Sequence, residues 1–119
     1  MAKILVVDDD LYIQKLYKEE FEGEGYGVVV AGTGVKAMEL FFSENPDLAM
    51  LDILMPDIDG LKLLYEMKGK KPRLPIIMST AYDYRDDFAV HASEEYIIKS
   101  SDLTKLKEAV KKLLKKGGI

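Results

Sequence analysis

The chain predicts a doubly wound α/β domain, a parallel sheet with helices on both faces. Three observations carry that expectation. Short apolar runs recur along the whole length, they are continuous rather than alternating, and stretches of helical periodicity separate them. Continuous apolar runs are expected of strands buried on both faces of a parallel sheet. Five repeats of strand then helix, joined by right-handed crossovers, give the doubly wound architecture.

The elements follow in order. Ile4–Val7 reads as the first strand. Ile13, Leu16, Tyr17 and Phe21 then recur at helical spacing, before the glycine-rich exit Gly23-Glu24-Gly25. Val28–Ala31 is the second strand, and Val35, Met38 and Phe42 mark a helix closed by Asn45-Pro46. Leu48–Leu51 is the third strand, followed by a helix through Leu61, Leu64, Tyr65 and Lys68 that Gly69 and Pro72 should end. Ile76–Met78 and Tyr96–Ile98 are the fourth and fifth strands, with a short or irregular helix expected between Tyr82 and Ser93. Leu103, Leu106, Val110, Leu113 and Leu114 mark the last helix, with Ser101 or Asp102 as N-cap and lysines in its final turn.

Composition narrows the function. At 119 residues, one domain spanning the chain is the natural prior, and 48% hydrophobic residues is ordinary for a globular protein. The absence of cysteine removes disulfides, thiolate metal sites and thiol nucleophiles, and the single His91 disfavours histidine-based metal sites and triads. A net charge of −4 argues against direct nucleic-acid binding. No apolar stretch is long enough to span a membrane, and the N-terminal run is too short for a signal peptide, so a cytoplasmic location is expected.

In open α/β sheets, ligands bind beyond the carboxyl ends of the strands. Asp8, Asp9 and Asp10 follow the first strand, Asp52 the third, Ser79 and Thr80 the fourth, and Lys99 the fifth. Carboxylates gathered there repel: two unit charges ~4 Å apart cost about 1 kcal/mol in water and about 4 at a near-surface dielectric. A hard divalent cation relieves this, and Mg²⁺ takes one or two carboxylates, keeps waters and bridges to phosphate oxygens. Asp8, Asp9 and Asp52 supply three negative charges, which Mg²⁺ and Lys99 balance. Asp52 is then the candidate nucleophile, since a carboxylate can accept a phosphoryl group. Asp10 reads as a helix N-cap, Asp57 and Asp59 as loop and N-cap, His91 as a helix residue, the tyrosines as core-edge residues, and Lys111, Lys112, Lys115 and Lys116 as a solvated helix face.

These residues together resemble the receiver domain of two-component response regulators, of the chemotaxis-regulator type. The likeness runs from Lys3 to about Lys116. It rests on Ile4-Leu5-Val6-Val7-Asp8-Asp9-Asp10, on Pro46–Gly60 with Asp52 inside it, on Ser79-Thr80-Ala81 and on Tyr96-Ile97-Ile98-Lys99. The resemblance implies a flavodoxin-like sheet of strand order 2-1-3-4-5. It implies Asp52 as phosphoacceptor, and Mg²⁺ (or Mn²⁺) held by Asp8, Asp9, Asp52 and the backbone carbonyl of Leu54. Thr80 and Lys99 would contact the phosphoryl group, and Tyr96 would switch with Thr80. A phosphohistidine on a sensor kinase or phosphotransfer protein would be the donor, with an unidentified downstream protein as receiver of the signal. Leu54 and Tyr82 are expected to shield the phosphoryl group, and switching is expected to order Thr80–Ser93.

Ser100 follows Lys99 where the family usually has proline. A cis peptide before a non-proline residue costs about 3 kcal/mol, so a trans bond is expected. Two other readings compete. Asp8-x-Asp10 superficially fits the nucleophile motif of haloacid-dehalogenase-like phosphatases and phosphotransferases, which normally need a longer chain with a cap and a late acidic pair. A pseudo-receiver that binds partners without phosphorylation is disfavoured because every catalytic position is filled.

Overall fold

The computed structural model describes residues 1–81, 93–100 and 102–117. The described elements are β1 (Lys3–Val7), α1 (Leu11–Gly23), β2 (Gly27–Ala31), α2 (Gly34–Ser43), β3 (Leu48–Leu51), α3 (Gly60–Lys70), β4 (Ile76–Thr80), β5 (Glu95–Ile98) and α4 (Thr104–Gly117). The strands form one parallel sheet in the order β2-β1-β3-β4-β5. The expected helix between Tyr82 and Ser93, with His91 in it, lies outside the described residues except for Ser93.

Strand pleating sends alternate side chains to opposite faces, and the core accordingly divides in two. Leu5 and Val7 join Leu51, Met78 and the inner faces of α2 and α3, including Phe41, Leu63 and Met67. Ile4 and Val6 join Met50, Ile77 and the inner faces of α1 and α4, including Phe21, Leu106 and Val110. The central strands β3 and β4 are buried throughout. The edge strands depart from the expectation of burial on both faces. β2 is half-covered and β5 is half-exposed, each bordering a single strand at an end of the sheet. The Val28 carbonyl of edge strand β2 accepts a hydrogen bond from Lys18 Nζ at 3.0 Å.

Local chemistry accounts for the helix limits. Asp10 caps α1 with its carboxylate, which accepts from the Tyr12 N–H, and the Thr33 hydroxyl and the Asp59 carboxylate cap α2 and α3 by accepting from the Lys36 and Leu61 N–H groups. After α1, Gly25 takes a φ of +96°, a left-handed conformation suited to glycine. Gly69 does not end α3, which runs on to Lys70; a side chain at Gly69 would meet nothing, and the helix stops where Lys71 N–H bonds back to Met67 and Pro72 follows. At the start of α4, the Asp102 carboxylate accepts from the Thr104 N–H and hydroxyl, one residue ahead of the cap position; Ser101 lies outside the described residues. Lys111, Lys112 and Lys115 are exposed as expected. Tyr12 and Tyr65 correct the expectation for tyrosines, being 70% and 55% exposed.

Candidate functional site

The strand ends converge as the residue pattern requires. Each acid is held by a bond that extends a ladder just past its strand: Asp8 N–H donates to the Ala31 carbonyl and Asp52 N–H to the Val7 carbonyl, both at 3.0 Å. Lys99 N–H donates to the Thr80 carbonyl at 2.7 Å, tying the exit of β5 to the end of β4. The Asp8 carbonyl is held in turn by Gln14 Nε2 of α1 at 2.7 Å.

Three carboxylates meet there. Oxygens of Asp8, Asp9 and Asp52 lie within 4.8 Å of one another, with Asp8 and Asp52 buried and Asp9 exposed. The Lys99 ammonium reaches both buried acids, 2.5 Å from Asp8 and 3.1 Å from Asp52. One cation against three anions leaves a net charge of about −2, held by oxygens alone, and this suits a hard divalent ion. Burial pushes the Asp8 carboxyl above its ordinary 3.8, against the hydrogen bonds from Lys99 and the Asp10 N–H that favour its charge. Burial also works against the Lys99 charge, but the combined attraction of Asp8 and Asp52 outweighs it and holds the ammonium above its usual range.

Asp10 spends its carboxylate on the Tyr12 N–H at 2.9 Å and caps α1 as expected. Asp8-x-Asp10 is therefore one site acid followed by one capping acid. Thr80 closes β4, wholly buried, and its Oγ1 has no hydrogen-bond partner among the described residues. A buried hydroxyl left so costs about 1–3 kcal/mol, and an arriving oxyanion would relieve it. The β3–β4 register, which pairs Leu51 with Met78, carries Asp52 level with Ser79 and one residue short of Thr80. Tyr96 pairs with Met78 across β4–β5 and packs, half-buried, on the α2–α3 face of the sheet. Leu54 follows Asp52 with its side chain 49% exposed. The Lys99–Ser100 peptide is trans, as its sequence requires. Tyr82 lies outside the described residues.

Two features had no local sequence signal. The Tyr17 hydroxyl lies 3.4 Å from Ser79 Oγ, a buried pair of hydroxyls on the α1 side of the sheet. Tyr17 fits the apolar stripe of its helix, so its periodicity speaks only of core. The Asp57 carboxylate accepts from the Gly34 and Val35 N–H groups at 2.8 and 3.2 Å, so it serves a helix 23 and 22 residues upstream.

Comparison with known proteins agrees with this geometry. The response regulator receiver domain family matches residues 4–111. Sporulation initiation phosphotransferase F of Bacillus subtilis is 36% identical over 117 residues, covering 94% of this chain and 93% of that protein. Regulatory protein AtoC of Escherichia coli is 35% identical over 116 residues, but the chain spans only 25% of its length. Among solved structures, the response regulator TrrA of Thermotoga maritima in complex with Mg²⁺–BeF superposes with a TM-score of 0.93 at 49% identity, over 96% of this chain and all of that one. TrrA in complex with the histidine kinase ThkA gives 0.90 at 49% identity, over 96% of this chain and 99% of TrrA. With a sheet of order 2-1-3-4-5, acids at its first and third strand ends and a family match over nearly its whole length, this chain belongs to the response regulator receiver domains.

Proposed function

We propose that the domain accepts a phosphoryl group on Asp52 from a phosphohistidine donor, on a sensor histidine kinase or histidine phosphotransfer protein, and passes the signal to a downstream protein. The observation that carries this reading is the cluster of Asp8, Asp9 and Asp52 with Lys99 bonded into it. An Asp52 carboxylate oxygen attacks phosphorus as the P–N bond to the donor imidazole breaks, and the imidazole departs with the bonding pair. Phosphoryl transfer relies mainly on positioning and charge neutralisation. Asp8 and Asp9, the Asp52 carboxylate and the Leu54 carbonyl are the proposed ligands of a Mg²⁺ ion, with Mn²⁺ accepted by the same oxygen set. The bound ion would supply positive charge beside the transferred oxygens. Lys99 pairs with a phosphoryl oxygen, and Thr80 donates its unpartnered hydroxyl to another. The same constellation assists hydrolysis of the aspartyl phosphate, so the domain contributes to its own phosphorylation and dephosphorylation.

The switch follows from the same face. Thr80 lies on the Tyr96 side of the sheet, because Met78, two residues earlier, pairs with Tyr96. Drawing Thr80 toward the phosphoryl group opens space for Tyr96 to turn inward. The phosphoryl group shifts the equilibrium by its differential interaction with the two positions of Thr80 and Lys99.

Incubation with a small phosphodonor and Mg²⁺, followed by intact-mass measurement, tests the proposal. One stoichiometric, metal-dependent addition is expected, whereas multiple turnover without modification would favour a phosphatase. Asp8→Asn and Asp9→Asn should each weaken Mg²⁺ binding. Asp10→Ala should leave it unchanged and lower stability by ~1 kcal/mol, the usual worth of such a cap. Loss of metal from Asp10→Ala with retention in Asp9→Asn would mean that the wrong pair has been assigned.

The metal also bears on stability. Folding raises the Asp8 pKa, so the fold favours the protonated acid. Without metal, the stability contribution of Asp8 is greatest below 3.8 and declines as pH rises through that value toward the higher folded pKa. Mg²⁺ should oppose the decline, adding about 2.7 kcal/mol at a concentration 100 times its Kd. Urea unfolding at neutral pH with and without Mg²⁺ measures this, and Asp8→Asn should lose most of the increment.

A further inference from the structure

Between Asp52 and α3 the chain runs through Ile53–Asp59, the loop that carries Leu54. Both ends of this loop are fixed by backbone. Asp52 N–H bonds to the Val7 carbonyl, and Gly60 N–H to the Ile53 carbonyl at 2.8 Å. The middle is fixed from α2. Asp57 places its two carboxylate oxygens on the first two N–H groups of that helix, Gly34 and Val35. Beside it, Ile58 fills the notch left by the missing side chain of Gly34, where an added Cβ would fall 1.9 Å from Ile58 Cγ2. Thr33 already caps α2 through its hydroxyl to the Lys36 N–H at 3.1 Å. The helix therefore carries a local cap and, separately, a long-range one whose other end is the site loop.

We propose that Asp57 is a positioning residue for metal binding: by latching the Ile53–Asp59 loop to the N-terminus of α2, it presets the Leu54 carbonyl for the divalent ion. This rests on the proposed role of that carbonyl as a ligand. Mg²⁺ demands near-ideal octahedral geometry, so a carbonyl on a loose loop must be ordered each time the ion binds. Ordering a residue costs conformational entropy, and the latch meets that cost during folding. Groups that orient metal ligands without touching the metal typically alter affinity by 10–100-fold.

The test is Mg²⁺ titration of the full chain by calorimetry, alongside thermal unfolding, for Asp57→Ala, Asp57→Asn and Thr33→Ala. Asp57→Ala should weaken Mg²⁺ about tenfold, the lower end of that range because Asp57 acts through the loop. Asp57→Asn keeps an oxygen for the Gly34 N–H and should recover most of the affinity, which separates the latch from a simple loss of negative charge. Thr33→Ala removes a cap from the same helix without touching the loop, and should lower stability while leaving Mg²⁺ affinity unchanged. The latch is overturned if Asp57→Ala binds Mg²⁺ as the wild type does, if Asp57→Asn binds as weakly as Asp57→Ala, or if Thr33→Ala weakens the metal equally. A wild-type chain that binds no Mg²⁺ would instead remove the metal assignment itself, and the latch with it.

Discussion

Asp52→Asn is expected to abolish phosphorylation outright, with no residual stoichiometric labelling by a small phosphodonor at any Mg²⁺ concentration. Of the clustered acids, Asp52 is the one on β3's exit, and the sheet order sets that strand between β1 with its acid pair and β4 with Thr80. Asparagine keeps the shape and one oxygen but lacks the second anionic oxygen and the nucleophilicity. Asp8 shares Lys99 but is held from two further sides, through the bond from the Asp10 N–H and the grip of Gln14 on its carbonyl. The fold should survive, because Lys99 retains Asp8 as its partner. Intact mass and peptide mapping after acetyl-phosphate-type treatment would decide it: stoichiometric phosphate on another acid of the variant would refute the assignment.

The second large effect is structural. Gly60→Ala should destabilise the domain by about 3 kcal/mol, the upper part of the usual range for overpacking. An added Cβ would sit 1.9 Å from the Asp52 carbonyl oxygen and 2.7 Å from Ile53 Cα. These are backbone atoms, so no flexible side chain can swing away, and either α3 or the end of β3 must move. Movement of β3's end displaces Asp52 itself, so phosphorylation should slow in parallel with the loss of stability. Gly69→Ala is the matched comparison. It lies on the same helix with nothing within 4 Å, and should gain roughly 0.5–1 kcal/mol through reduced chain entropy. Urea unfolding of both variants measures the contrast, and a Gly60→Ala protein as stable as Gly69→Ala would overturn the expectation that the backbone here cannot yield to a side chain.

Much of this site was legible in the sequence because parallel sheets impose a simple rule. Residues directly after a strand arrive at one edge, whatever lies between them. Asp8, Asp52, Thr80 and Lys99 could therefore be brought together from apolar runs alone, and the structure sets Asp8 and Asp52 within reach of Lys99. Asp10 and Asp59 were legible for the opposite reason, since an N-cap acts within two or three residues of itself. What escaped were interactions neither strand-end nor local. Asp57 looked like an ordinary loop acid because its partners are more than twenty residues away on another helix. Tyr17 looked like core because a phenol satisfies an apolar stripe as well as leucine does, while its hydroxyl finds Ser79. The half-exposure of β2 and β5 also escaped, since an apolar run carries no mark of whether its strand is central or peripheral.

That peripheral placement has a consequence for how the protein behaves when crowded. An edge strand can present a row of backbone groups on which a foreign strand could grow, the starting point of edge-to-edge aggregation. β2 is the more tempting template, since Gly27-Val28-Val29-Val30-Ala31 is uncharged and rich in β-branched residues. Lys18 sets a charged side chain on the Val28 carbonyl. β5 is protected differently, by its four-residue length and by Glu95 at its start. Lys18→Ala is therefore expected to free that carbonyl and to raise the tendency of the protein to aggregate, which light scattering at high concentration would measure. Substitutions that raise apolar content along either border would trade solubility for stability, even where the folded monomer accommodates them well.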